Sequence, residues 1–231
     1  QYFVRLVKNT LLLSIYNIAW GFPAPLILAL LLNEVRNQRF KKAVQTITYL
    51  PHFISLVVVC GMLTQFLSRD GFITNILVHL GVMEPTNLLG EKQYFRTIYI
   101  ASGIWQEIGW GTIIYLAALS GVDEQLYEAA RIDGASKTQI AFKITIPLLK
   151  PVLQVCATFS LIGALKIFDL IYVLTGGGPF FSTEVPTIYM YKTIFDSFKY
   201  GYGSAIAIFV IIECLILTGV LRLLFRDKEK A

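Results

Sequence analysis

The stretch YEAARIDGASKTQIAFKITIPLLKP, from Tyr127 to Pro151, is polar and rich in helix-forming residues, although two of the most apolar runs of the chain flank it. Just before it, Asp123 can cap the start of a helix, and the segment EQLYEAARI favours one. Gly134 stands where the C-terminal cap of that helix requires a residue of positive φ. The sequence therefore predicts a first short helix that ends at DGA.

A second short helix is predicted directly after this turn. Ser136 and Gln139 have the spacing of a capping box, in which each side chain satisfies a backbone N–H of the other residue. Pro147 and Pro151 then bound the start of the next apolar segment. We interpret the helix pair as a knob that docks into a groove of a cytoplasmic protein. The side chains that could give this knob an apolar stripe toward the partner are Leu126, Ala130 and Ile140. The alternative is a helix that lies flat on the lipid, but the first helix contains few basic residues.

The composition indicates a polytopic membrane protein. Of 231 residues, 55% are hydrophobic and 15% are charged, and the mean hydropathy is +0.63. Soluble domains carry about 25% charged residues. The net charge of +5 is attributed to basic cytoplasmic loops, and no nucleic-acid partner is expected. The three cysteines and two histidines lack metal-ligand spacing, so no metal site is predicted.

Five segments are apolar enough to cross a bilayer, each with about 20 residues. We therefore predict an all-α fold, a polytopic membrane helical bundle that forms one domain over 1–231. It includes a cytoplasmic region at 121–150 and an extracellular loop at 175–202. Gly21, Pro23 and Pro25 predict a kink in the first span. The predicted spans are 10–32, 43–67, 97–119, 151–174 and 203–225.

The distribution of basic residues predicts the orientation. The segments between successive spans lie on alternate sides of the membrane. Twelve of the 20 Lys and Arg residues lie on one side, seven lie on the other, and Lys166 falls within a span. The positive-inside rule places the twelve in the cytoplasm, and with them the C-terminus. The twelve are Arg36, Arg39, Lys41, Lys42, Arg131, Lys137, Lys143, Lys150, Arg222, Arg226, Lys228 and Lys230.

The loops at 68–96 and 175–202 are expected on the outside. The second contains TGGGPFFSTE, a turn-forming segment followed by aromatic residues. It lacks the spacing of a phosphate-binding loop. We expect it to contact an extracellular partner.

Ionisable residues within spans are costly and mark functional positions. Glu107 is flanked by Trp105 and Trp110, and aromatic rings beside polar groups suit a sugar. The alternative is an aromatic belt at the membrane surface. Lys166 and Asp169, three residues apart, are expected to pair on one helical face, either as a structural ion pair or as part of a pathway. Glu213 could serve a pathway or join neighbouring spans.

The segment EAARIDGASKTQIAFKITIPLLKP resembles the EAA motif of permease subunits of binding-protein-dependent ABC importers, which have the MetI-like fold. GFPAPLILALLLNEVRNQRFKKAVQTITYLPHFIS, IWQEIGWGTIIYLAALSGVDEQLYEAA and TGGGPFFSTEV resemble the sugar-importer branch, so nearly the whole chain is covered. The residues that match the motif are Glu128, Ala129, Ala130, Asp133, Gly134, Ala135, Ile144 and Pro147.

This resemblance implies a multi-pass protein of the bacterial cytoplasmic membrane. Two permease subunits, usually different chains, would form the pathway, and each EAA helix would dock on one subunit of an ATP-binding dimer. An extracellular solute-binding protein would deliver a sugar, expected to be an oligosaccharide and one that could carry uronate units. Members usually have six spans, so five here implies that the first is missing.

The chain itself has no ATP-binding loop, so we expect no cofactor on it and no enzymatic activity. ATP and Mg²⁺ would belong to the partner ATPase. The alternative function is an ion-coupled secondary transporter that works without an ATPase. No internal repeat supports that alternative, and it leaves the polar helix pair without a role.

Overall fold

The computed structural model describes residues 2–175 and 184–225, and within these ranges the chain forms helices and no strand. Thirteen α-helices can be numbered over the described ranges. In chain order they are α1 (Tyr2–Tyr16), α2 (Pro23–Glu34), α3 (Gln38–Tyr49), α4 (Leu56–Phe66), α5 (Phe72–His79), α6 (Lys92–Ser120), α7 (Glu124–Ile132), α8 (Lys137–Ile140), α9 (Ile146–Leu148), α10 (Lys150–Leu165), α11 (Asp169–Thr175), α12 (Pro186–Phe195) and α13 (Tyr200–Phe225).

Three helical segments of the described chain are long and apolar enough to cross a membrane: Phe3–Glu34, Lys150–Leu174 and Tyr200–Leu223. A bent pair of helices, α3 with α4, would make a fourth span. The span predicted at 97–119 lies in α6, whose 29 residues would extend about 43 Å at 1.5 Å per residue. Because α6 carries Gln106 and Glu107 at its centre, it is less apolar than the three, and its crossing stays a prediction.

The span predicted at 43–67 is not one continuous helix, because α3 and α4 meet at 96°. Pro51 lacks a backbone N–H and lies in a short 3₁₀ turn between the two helices. Ile54 and Ser55 are extended, with ψ of 129° and 144°. The carbonyl of Ile54, left outside both helices, accepts a hydrogen bond at 3.2 Å from the side chain of Gln106.

The irregularity predicted in the first span takes the form of a π-helical turn at Asn17–Gly21, immediately before α2 begins at Pro23. On the neighbouring α6, Gly111 leaves room for Pro25, whose ring would lie 3.0 Å from an added Cβ. The Thr112 hydroxyl donates to the carbonyl of Pro25 at 3.2 Å. These contacts fix α2 against the middle of α6.

The region 175–202, predicted as an extracellular loop, is not irregular throughout, because α12 occupies ten of these residues. Its extracellular position stays a prediction. Val185 and Ile188 are buried in an apolar cluster with Leu13, Phe95 and Ile171. This burial places the segment inside the helical bundle. Most of TGGGPFFSTE falls at 176–183, which lies outside the described residues.

Candidate coupling segment and central polar cluster

The coupling segment, which we define as residues 121–150, begins with α7. Asp123 caps this helix by accepting a hydrogen bond at 3.0 Å from the backbone N–H two residues later. At the other end Gly134 has φ +76° and donates to the carbonyl of Arg131 at 3.1 Å, while Ala135 donates to the carbonyl of Ala130 at 2.9 Å. This pair of bonds is a Schellman cap. The predicted first helix and its glycine cap are confirmed.

The second half of the coupling segment starts at the predicted capping box. Ser136 Oγ accepts from the Gln139 backbone at 3.3 Å, and Gln139 Oε1 accepts from the Ser136 backbone at 2.8 Å. A π-helical turn at Ala141–Thr145 follows α8, and Pro147 lies in the short helix α9. The chain therefore stays helical almost continuously from the capping box into α10.

Most of the motif residues of the coupling segment point to the surface. Glu128, Ala129, Asp133, Gly134 and Pro147 are exposed, and Ala135 is partly exposed. These residues are available to a partner.

The apolar stripe predicted on this segment packs against the rest of the chain and does not face a partner. Ala130 and Ile140 are each 8% exposed, so they pack against the chain itself, and of the expected stripe only Leu126 is exposed. The apolar side chains that do reach the surface are Ile132, at 86% exposure, and Phe142, at 67%. Sequence reasoning did not single out these two residues.

Two contacts tie the coupling segment together and to the rest of the chain. Lys137 Nζ lies 2.8 Å from Glu34 Oε2 at the end of α2. The Thr145 hydroxyl donates to the Tyr127 hydroxyl at 3.4 Å, which links the π-helical turn to α7. The ion pair is exposed and contributes little to stability, but it shows that α8 lies beside the end of α2.

A cluster of polar and aromatic side chains, the central polar cluster, forms where the bend between α3 and α4 meets α6. His52 Nδ1 lies 3.0 Å from Glu107 Oε2, and the His52 ring stacks on Trp110 with centroids 4.3 Å apart. Phe53 packs edge-on against Trp110 at 5.9 Å. The Glu107 side chain keeps 56% of its surface exposed. The cluster thus presents a carboxylate beside exposed aromatic surface.

A glycine on α6 permits this arrangement. A Cβ added at Gly109 would lie 2.1 Å from the carbonyl oxygen of Thr48, at the end of α3. Real Cβ atoms do not approach backbone oxygen so closely, so α6 can reach the bend only with glycine at this position. Because α3 ends at Tyr49 and His52 follows three residues later, this close approach places His52 beside Glu107 on α6.

The sequence placed only part of this cluster. Glu107 and Trp110 lie three residues apart and share one face of α6, whereas Trp105 lies two residues from Glu107 and faces the other side. His52 was missed: its one sequence signal is a position beside Pro51 within an apolar run. Trp105 is 44% exposed and, among the described residues, stacks on no other ring.

The expected pairing of Lys166 and Asp169 is wrong. Lys166 directly follows α10 and Asp169 begins α11, so a helix break separates them. Thr187 donates its hydroxyl hydrogen to the carbonyl of Ile167 within this break. Both charged side chains are exposed, and neither forms an ion pair within the described part of the chain.

Comparisons with known proteins agree with this architecture. Residues 8–230 match the family model described as the inner membrane component of binding-protein-dependent transport systems. The chain is 41% identical over 216 residues to the polygalacturonan/rhamnogalacturonan transport system permease protein YteP of Bacillus subtilis (strain 168). That match covers 93% of this chain and 67% of YteP.

Two solved structures share the fold. One is a bacterial ABC transporter involved in the import of the acidic polysaccharide alginate, with a TM-score of 0.92 and 37% identity. The other is a bacterial alginate ABC transporter in complex with an alginate pentasaccharide-bound periplasmic protein, with a TM-score of 0.93 and 36% identity. Each match covers all of this chain and 81% of the solved chain. The chain therefore belongs to the family of inner membrane components of binding-protein-dependent transport systems.

Proposed function

We propose that this chain is a permease subunit of an ATP-driven importer for oligosaccharides, including those that carry uronate units. It forms half of the translocation pathway in a bacterial cell membrane, with its C-terminus in the cytoplasm. The coupling segment docks on a separate ATP-binding subunit dimer, which holds ATP and Mg²⁺ and performs the hydrolysis. The chain itself is not an enzyme and binds no cofactor or nucleic acid.

The observation that carries this proposal is that the coupling segment consists of two capped helices in a defined arrangement. A connector between two spans needs no defined shape, yet α7 and α8 are capped at each junction by side-chain or glycine bonds. Glu128, Asp133 and Ile132 are exposed on this fixed frame. A rigid knob with exposed charged and apolar groups suits docking into a groove and can transmit motion from a partner.

The family membership supports the proposed partners. A second permease subunit completes the pathway, and an extracellular solute-binding protein delivers the sugar. The name of YteP refers to polygalacturonan and rhamnogalacturonan, and the two solved transporters are described with alginate. These names support acidic oligosaccharides as substrates.

Within the pathway, Glu107 and Trp110 have the chemistry that a sugar requires. A carboxylate accepts hydrogen bonds from hydroxyl groups, and a ring face packs against the C–H groups of a pyranose. His52 holds the Glu107 carboxylate from one side and leaves the rest of it exposed. We assign Trp105, Lys166 and Asp169 to the pathway as well, although these three lie outside the central polar cluster.

The coupling role is tested by Gly134→Val. Gly134 has open space around its Cα but a φ of +76°, which a β-branched residue adopts only with strain. The strain costs about 1–2 kcal/mol, so we expect sugar uptake per ATP hydrolysed to fall about tenfold. Uptake and hydrolysis are measured on the complete importer in proteoliposomes.

Gly134→Asn is the matched control, because Asn tolerates the left-handed region far better than Val. We expect Asn to keep most of the coupled uptake. Co-purification of the ATP-binding subunits with each variant separates failed docking from failed transmission. Normal coupled uptake by the Val variant would contradict the docking role of the segment.

A further inference from the structure

A second polar region lies on α6, toward its N-terminal end. Here a cavity of about 740 Å³ opens between the first half of α6 and the helical stretch that joins α1 to α2. Its size is within the range of about 300–1,000 Å³ that is common for ligand pockets. The lining combines ring faces with hydrogen-bonding groups: Tyr16, Trp20, Glu91, Gln93, Arg96 and Thr97.

Arg96 is the cation of this cavity, and its charge is uncompensated within the described part of the chain. Its Nε is buried without a hydrogen-bond partner, and no ion pair forms at its guanidinium group. Nε itself is enclosed by the chain, but Arg96 is partly exposed and lines the cavity. An anion in the cavity can therefore accept hydrogen bonds from the terminal N–H groups of the guanidinium, which charge strengthens. The planar guanidinium matches a carboxylate through two parallel hydrogen bonds.

The acidic residue of the cavity does not neutralise Arg96. Glu91 lies in the same lining, but Oε1 of Glu91 accepts from the Thr86 hydroxyl at 3.5 Å, and no ion pair joins Glu91 to Arg96 among the described residues. Glu91, Gln93 and Thr97 can accept or donate hydrogen bonds to hydroxyl groups. Trp20, at 65% exposure, and Tyr16, at 42%, offer ring surface.

The cavity and the central polar cluster share one face of α6. Arg96 and Glu107 are eleven residues apart, which corresponds to about three helical turns, a rotation of only about 20° and a rise of about 16 Å. Under the proposed orientation Arg96 lies on the outer side of Glu107. A chain of sugar units that enters along this face of α6 would therefore meet Arg96 before Glu107.

We propose that Arg96 binds the carboxylate of a uronate unit and so makes this cavity an anion-selective outer subsite of the pathway. The neighbouring rings and hydroxyl-binding groups make the ligand an acidic sugar rather than a small free anion. The inference rests on the proposed function, because it assumes that this face of α6 lines a sugar pathway. It adds a residue that discriminates charged from neutral oligosaccharides.

The test compares a charged and a neutral probe: trigalacturonate, and its fully methyl-esterified form, in which a methyl ester replaces each carboxylate. The complete importer, with its second permease, ATPase and binding protein, is reconstituted in proteoliposomes, and uptake of each probe is measured. The ratio of the two rates is compared between variants, so the preference of the binding protein cancels. For Arg96→Gln we expect trigalacturonate uptake to fall about tenfold or more, because a charged hydrogen bond is lost, while ester uptake stays within about twofold.

Two further variants make the result specific. Arg96→Lys keeps the charge without the planar fork, and we expect an intermediate loss of trigalacturonate uptake. Arg69→Gln removes the same charge from an exposed position in the loop after α4, and we expect the ratio of rates to stay unchanged.

An equal fall of both rates in Arg96→Gln, or loss of the second permease from the complex, would overturn the inference and assign Arg96 a structural role. The proposed function would survive that result. A wild-type importer that moves the ester but not trigalacturonate would also overturn the inference. A wild-type importer that moves no oligosaccharide would contradict the proposed function, and the inference would fall with it.

Discussion

At the scale of single residues, Glu107 combines a fixed position with an open surface. One side of its carboxylate is held by the Nδ1–H of His52, at 3.0 and 3.2 Å to the two oxygens. His52 is in turn held by parallel stacking on Trp110. Such support from a neighbouring ring and hydrogen bond keeps the carboxylate in one orientation, as a binding group requires.

We predict that Glu107→Gln lowers oligosaccharide uptake about tenfold in the reconstituted importer. The amide retains the shape of the side chain but loses the charge that strengthens its hydrogen bonds to hydroxyl groups. Charge-assisted hydrogen bonds contribute about 1.5–3 kcal/mol, and about 1.4 kcal/mol corresponds to a factor of ten. Initial uptake rates measure the effect, with the subunit composition of the purified complex determined in parallel.

Glu84→Gln is the control for Glu107→Gln, because it makes the same chemical change at an exposed position between α5 and α6. We expect it to leave the uptake rate unchanged. Full uptake by the Glu107 variant, at wild-type assembly, would remove Glu107 from the pathway.

At the scale of helices, the central polar cluster depends on how closely α6 approaches the end of α3. Gly109→Ala would place a Cβ 2.1 Å from the Thr48 carbonyl oxygen and 2.8 Å from the Tyr49 nitrogen. The neighbours are backbone atoms, so the two helices must separate. We expect a destabilisation of about 1–3 kcal/mol, as in overpacked cores, measured as a lower midpoint of thermal unfolding for the purified importer.

Gly103→Ala provides the comparison on the same helix, since a Cβ there would meet no atom of the described residues within 4 Å beyond the backbone of its own helix. Replacing an uncrowded helical glycine by alanine favours the helix by about 0.5–1 kcal/mol, so its midpoint should be equal or higher. Equal losses in both variants would show that the contact at Gly109 is not specifically required.

The helices also show which features could be read from the sequence. The caps at Asp123, Gly134 and Ser136 were predictable because each involves residues within a few positions along the chain. The pairing of Lys166 with Asp169 assumed a continuous helix. Within the break, the carbonyl of Ile167 accepts a hydrogen bond from Thr187, which lies 20 residues further along the chain. Likewise, His52 reaches Glu107 across 55 positions only because of a sharp bend.

The coupling segment illustrates the same limit. Its helix pair was predicted correctly, but the face that packs inward was not. Ala130 and Ile140 were expected to meet a partner and instead are buried within the chain. Helical periodicity identifies an apolar face, but it does not tell whether that face meets the same chain or another one.

At the scale of the whole molecule, apolar surface remains abundant. On α13 alone, five large apolar side chains between positions 208 and 216 are 49–68% exposed. They are Ile208, Ile211, Ile212, Leu215 and Ile216. A soluble monomer rarely exposes such a continuous apolar surface. In the proposed importer, lipid and the second permease would cover this surface.

The crossing of α6 connects the proposed pathway to the proposed coupling, and it can be tested directly. If α6 spans the membrane, Glu84 before it and Thr138 after it lie on opposite sides, with Thr138 in the cytoplasm as the positive-inside rule predicts. Both positions are exposed.

We predict that a membrane-impermeant maleimide labels Glu84→Cys in intact cells and labels Thr138→Cys only after permeabilisation. The background is a variant in which Cys60, Cys156 and Cys214 are replaced by Ala. Labelling of both positions from the same side would mean that α6 does not cross, and the outer cavity at Arg96 and the coupling segment could not then belong to one pathway.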